Sequence, residues 1–87
     1  DADSYYNLGF VLTQIRVFDK ARNAFAQAIA VRPRNFKAYY GRGYTHEMLG
    51  DLTNAARDYR EALSIRPKHQ PSATALGRVN QKLKAVP

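Results

Sequence analysis

The stretch Phe36–Pro67 reads FKAYYGRGYTHEMLGDLTNAARDYREALSIRP, with Tyr39, Gly43, Ala55, Tyr59, Ala62 and Pro67 as its skeleton and a Gly50-Asp51 turn between two apolar-periodic segments. Shifted back by 34 residues, the same skeleton recurs as Tyr5, Gly9, Ala21, Phe25, Ala28 and Pro33. Tyr6/Tyr40 and Arg32/Arg66 repeat as well, so seven of 34 positions are identical with no gap. Shifted forward, Leu76-Gly77 falls over Leu8-Gly9. A fixed period decides the architecture before any local signal, because each unit buries its apolar face only against the next one.

Working outward, each unit reads as two helices. Asp1, Asp3 and Ser4 offer capping oxygens and negative charge to a first helix. Its apolar face is Tyr5, Leu8, Gly9, Leu12 and Ile15, at the three-and-four spacing of an amphipathic helix. Gly9 costs about 1 kcal/mol against Ala inside a helix, which is offset if a partner helix must approach closely there. Arg16-Val17 stands where the second unit has Gly50-Asp51, so a left-handed residue in this turn is non-glycine and strained. The second helix spans about 18–31, with Phe18, Ala21, Phe25, Ala28 and Ile29 buried, and Pro33 ends it. Asn35 caps a third helix over 36–49, and a fourth over 52–65 buries Leu52, Ala55, Tyr59, Ala62 and Leu63 before Pro67. Pro71 suits the first turn of a fifth helix whose weaker inner face is Ala73, Leu76, Gly77, Asn80 and Leu83. Lys82 and Lys84 suit its C-terminal end. The helices are expected to be about 12 to 15 residues long and joined by short loops into antiparallel hairpins.

The 87 residues make one small domain, near the size at which a single core is marginal. With no cysteine, disulfides and thiolate metal ligands are excluded. Apolar runs such as Phe10-Val11-Leu12 are far too short to span a membrane. The opening Asp1-Ala2-Asp3 has no signal-peptide character and is already in repeat phase without an initiator Met, as expected of a piece of a longer protein. Net charge is +7, which favours acidic partners. Scattered Ser and Thr, two histidines and no clustered carboxylates give no nucleophile, metal or acid/base constellation, so neither an enzyme nor a cofactor is expected.

The skeleton resembles the tetratricopeptide repeat (TPR), whose pattern is aromatic, Leu-Gly, Tyr, then Ala, Phe and a closing Pro over 34 residues. The resemblance implies an all-α fold, a short right-handed superhelical solenoid in a single domain over 1–87, with one repeat over 2–35 and a second over 36–69. Residues 70–87 are then either a capping helix, facing solvent with Arg78, Gln81 and Lys82, or half of a third repeat cut off at Pro87; the cap is favoured because repeat arrays need a polar end. It also implies a non-catalytic scaffold whose concave groove takes a peptide or a partner helix. Carried over by position, the groove holds a second stripe on the first and third helices: Tyr6, Phe10, Thr13 and Gln14, then Tyr40, Tyr44, Glu47 and Met48. Asp3 and Lys37 lie at its entrance, with Thr74, Arg78 and Lys82 contributed by the fifth helix. The alternative is that these tyrosines only pack on one another and on adjacent helices.

One TPR subtype clamps the C-terminal carboxylate of chaperones with Lys, Asn and Arg. The corresponding positions hold Tyr6, Phe10, Gly41, Pro71 and Ala75, which supply no such donors, so a chaperone tail is not the expected partner. A homo-oligomer, through the exposed flank of Val11 and Ile15, is a second reading. The loops Arg32-Pro33-Arg34 and Arg66-Pro67-Lys68-His69 form a basic edge where the family usually has an acidic residue before the proline. Nucleic acid or an anionic membrane is left open but disfavoured against solvated charge. Arg42 replaces the aliphatic seen at Leu8 and Leu76 and needs a carboxylate if buried. His46, in place of Leu12, is expected to be a packed, hydrogen-bonded ring.

Overall fold

A computed structural model describes residues 1–85. The turn chemistry and proline stops give five helices: α1 Ala2–Gln14, α2 Phe18–Val31, α3 Phe36–Met48, α4 Leu52–Ile65 and α5 Gln70–Ala85. At 16 residues, α5 is slightly longer than the range expected. Asp1, Asn35 and Asp51 accept backbone hydrogen bonds from Ser4, Ala38 and Asn54, closing the N-termini of α1, α3 and α4. α2 starts without a side-chain cap. Its preceding turn holds Arg16 at φ 65, the left-handed geometry that Gly50 adopts at φ 84 without a Cβ penalty. Arg32 and Arg66, each before a proline, are extended at φ −130 and −128, and there α2 and α4 stop.

Successive helices pack on one another; in addition α1 touches α3 and α3 touches α5, whereas α2 and α4 do not meet. A layer whose members touch lies inside a bend. The odd helices therefore form the inner, concave layer of a helix-turn-helix solenoid, with α5 as its cap. Two core clusters repeat along it, Ala21, Phe25, Ala28 and Ala38, then Ala55, Ala56, Tyr59, Ala75 and Val79. A Cβ on Gly9 would come within 2.8 Å of the Phe25 ring, and one on Gly43 within 2.8 Å of the Tyr59 ring. These glycines let each hairpin close over its aromatic.

Two faces differ from the sequence expectation. Leu8 and Ile15, assigned to the buried face, are 49% and 62% exposed. α2 covers only the Tyr5-Gly9-Leu12 side of α1, and Leu49, one period from Ile15, is likewise 43% exposed in the middle of the stack. On α5 the buried residues are Ser72, Ala75 and Val79, while Ala73 and Gly77 are exposed. Ser72, Ala75 and Val79 are one period from Ala38, Gly41 and Thr45, the side of α3 that faces α2. Ala73 and Gly77 match Tyr39 and Gly43, which in the preceding repeat face the helix that follows. Among the described residues nothing follows α5, and a Cβ on Gly77 would meet open space. The expected break at Pro87 lies outside the described residues.

Candidate functional site

The inner layer carries a hollow of about 360 Å³ between α1 and α3. α1 contributes Tyr6 and Phe10, one turn apart, with Thr13 and Gln14; α3 contributes Tyr40, Gly41 and Tyr44. Phe25 forms the base, its ring 5.7 Å from that of Tyr6. It reaches this place because Gly41 as well as Gly9 lacks a side chain; a Cβ on Gly41 would lie 2.5 Å from the ring. Gly41 acts here through close approach, a role unread in the sequence.

Phe10 is the exposed aromatic of the hollow, at 50%. Burial, then the neighbouring Tyr40, raises the Tyr6 hydroxyl pKa, so it stays a neutral donor. Thr13 already donates to the Gly9 carbonyl at 2.8 Å. Tyr40 and Tyr44 serve packing too: Tyr40 lies 5.8 Å from Tyr59 and 5.3 Å from His69, and Tyr44 lies 6.4 Å from Phe18. Arg16, from the strained turn, completes the wall. Met48 is exposed, but it does not line this hollow.

Lys37 and Asp3 are not at this hollow either. They border a neighbouring one of about 520 Å³ with Tyr6, Phe36, Arg32 and Arg34. The other half of the basic edge is arranged differently, with the Arg66 guanidinium 4.6 Å over the Phe36 ring and Lys68 exposed. Thr74 is exposed on α5.

Glu47 is a correction. Its place on the stripe suggested a ligand contact, yet its side chain is only 3% exposed and its carboxylate is fully engaged. Tyr59 donates to Oε1 at 2.9 Å, Arg78 donates to both oxygens at 2.7 and 2.8 Å, and Lys82 to Oε2 at 3.2 Å. Arg78, chiefly, with Tyr59 and Lys82 adding to it, holds the carboxyl at a pKa of about 2 against the upward push of burial. Arg78 and Lys82 therefore do not simply face solvent; with Tyr59 they fasten α5 and α4 to α3.

Arg42 finds its carboxylate in Asp58, with Nε and Nη2 donating at 2.8 and 2.9 Å. His46 is packed beside this pair, its Nε2 3.5 Å from Asp58, but its buried Nδ1 has no hydrogen-bond partner, contrary to expectation. These groups border a larger hollow, about 690 Å³, between α3 and α4. Apart from Tyr39, that hollow is lined by polar and charged side chains, and Asp58 and Glu61 are already bonded, to Arg42 and Ser64. It is a poorer site for a peptide than the smaller aromatic hollow.

Among the described residues no three His, Asp or Glu side chains could hold a metal, and no helix is long and apolar enough to cross a membrane. Residues 13–69 match the family model described as Tetratricopeptide repeat. The human Cell division cycle protein 16 homolog is 32% identical over 71 residues, 82% of this chain but 12% of that protein, so the chain spans a small part of its relative. The crystal structure of MamA superposes with a TM-score of 0.94 at 26% identity, covering 97% of this chain and 49% of that one. The NMR structure of the second TPR domain of human RPAP3, in complex with the HSP70 peptide SGPTIEEVD, superposes with a TM-score of 0.89 at 25% identity over 92% of this chain and 67% of that one. This last likeness overturns the exclusion of chaperone tails as partners. The exclusion tested only one placement of donors, whereas an anionic tail needs cations within reach, and Arg16, Arg34 and Lys37 border the two inner hollows from other positions.

Proposed function

Because the chain belongs to the tetratricopeptide repeat family, we propose that it is a non-catalytic scaffold that binds an extended peptide in an aromatic-lined groove on its concave face. The observation that carries this is the hollow between α1 and α3, with half-exposed Phe10 at its rim and Phe25 at its base. A buried core has no need of an aromatic left half in water, and a concave apolar site with a few polar groups is what a peptide side chain requires. Tyr6, Phe10, Tyr40 and Tyr44 are the anchors, with Thr13 and Gln14 at the wall. The RPAP3 complex supports a chaperone-type tail as one candidate ligand.

The test is fluorescence anisotropy with labelled SGPTIEEVD and with a random nonapeptide pool. Binding on the order of micromolar is expected for a site this small. Phe10→Ala should weaken it about tenfold, the effect of losing one aromatic anchor, without lowering the melting temperature, since Phe10 is half exposed. Absence of binding by both probes, or binding indifferent to Phe10→Ala, overturns the proposal.

A further inference from the structure

We propose that the hollow beside the α2–α3 connection is an acidic-residue subsite, so that the ligand is a peptide carrying side-chain carboxylates close to an apolar residue. This rests on the groove reading and extends it.

Tyr6 lines both hollows, so the two are contiguous along the inner layer. The second has a different chemistry: Arg32, Arg34 and Lys37 surround it, against the single carboxylate of Asp3. That carboxylate is weakly held, 3.8 Å from Arg32, with both side chains mostly in water at 80% and 66% exposure. Among the described residues neither Arg34 nor Lys37 has a carboxylate within 4.0 Å. Three cations around one hollow repel each other, and that repulsion is relieved when an anion enters.

The second inter-repeat loop provides an internal comparison. Arg66, one period from Arg32, lies over the Phe36 ring, which His69 also meets edge-on at 5.0 Å. Lys37 is matched there by Pro71. The second loop thus spends its arginine on packing and has no counterpart of Lys37, while the first leaves its cations turned to one hollow. An approximate spacing follows. Tyr6 and Phe10 are one helical turn apart, about 5.4 Å, and an extended chain advances about 3.3 Å per residue. The acidic residues should therefore lie about two positions or more from the apolar anchor.

The experiment compares three fluorescein-labelled nonapeptide pools of identical apolar composition. One has consecutive Glu and Asp and an amidated C-terminus; one replaces them with Gln and Asn, amidated; one is the neutral pool with a free C-terminus. The acidic pool should bind about tenfold more tightly than the amidated neutral pool, the combined effect of a few exposed ion pairs, and added salt should shrink the difference. Arg34→Ala combined with Lys37→Ala should bring the acidic pool to the neutral pool's affinity. Circular dichroism checks that the variant keeps its helices. Equal binding of the two amidated pools overturns the subsite while the groove stands, provided Phe10→Ala still weakens both. A free C-terminus that matches the acidic pool overturns the side-chain assignment, as does an acid preference that survives the double variant. If no pool binds, the groove reading falls and the subsite with it.

Discussion

Replacing Glu47 by Gln keeps the shape of the side chain and removes its charge, which isolates what the ionised form contributes. Its carboxyl titrates at about 2 instead of 4.5. Each pH unit of such a displacement is worth about 1.4 kcal/mol, so the charged form stabilises the fold by about 3 kcal/mol at pH 7. Because the side chain is only 3% exposed, little of this is lost to solvent screening. Arg78 and Lys82, about half exposed, can rehydrate when the charge is gone. The buried Tyr59 hydroxyl cannot, but it keeps the amide oxygen as an acceptor. Glu47→Gln should therefore lose somewhat less than the full amount at pH 7, read as a lower urea midpoint by circular dichroism. The sign with pH follows from a folded pKa below the unfolded one. The contribution is complete above about pH 4.5, declines as pH falls and is gone below about pH 2. The parent should weaken across that window, and the variant should lack this component. An unchanged midpoint at pH 7, or a variant as acid-sensitive as the parent, would refute the assignment of Glu47 as the latch between α3, α4 and α5.

Arg42→Leu should cost about 3 kcal/mol, because it strands the Asp58 carboxylate, only 8% exposed; adding Asp58→Ala restores the Leu8–Ala24 combination of the first repeat and should recover most of the loss in thermal melts. Gly43→Leu should destabilise by about 1–3 kcal/mol through collision with Tyr59, whereas Gly77→Ala, facing open space, should gain about 1 kcal/mol from helix propensity; a Gly43→Leu melting temperature at or above the parent's refutes the helix register. Burial lowers the His46 pKa below 6.5, against the opposing pull of Asp58 and Asp51, with Arg42 and Arg22 adding to the lowering. The neutral ring is therefore the form the fold prefers, stability should fall as pH drops below 6.5, and an NMR titration at or above 6.5 would count against it.

The 34-residue period made the helices and their stops legible, because Gly, Pro and capping residues act on their own few neighbours. Side-chain faces were legible only in part. Ala73 and Gly77 hold repeat positions that a following helix covers at Tyr39 and Gly43; among the described residues none follows α5, and periodicity alone cannot show that. The Glu47–Arg78 pair spans 31 residues and joins helices in different units, so no local spacing signals it. The Arg42–Asp58 pair did leave a trace: Leu8 becomes Arg and Ala24 becomes Asp between the two copies, a coupled change within one sequence. The aromatic stripe was visible as spacing, but which members also pack the core depends on Phe18, Tyr59 and His69 arriving from other helices.

Phe25 belongs to α2, touches Gly9 of its own repeat and Gly41 of the next, and forms the base of the inner hollow. In a linear stack, unfolding can stop at the boundary between units, and how sharply the chain melts depends on the strength of that boundary. A molecule resting on Phe25 presses on the boundary itself and touches both units at once. Occupancy should then do more than raise the melting temperature by mass action. It should make the two repeats melt together, so that the steepness of the transition, and not its midpoint alone, reports whether the groove is full.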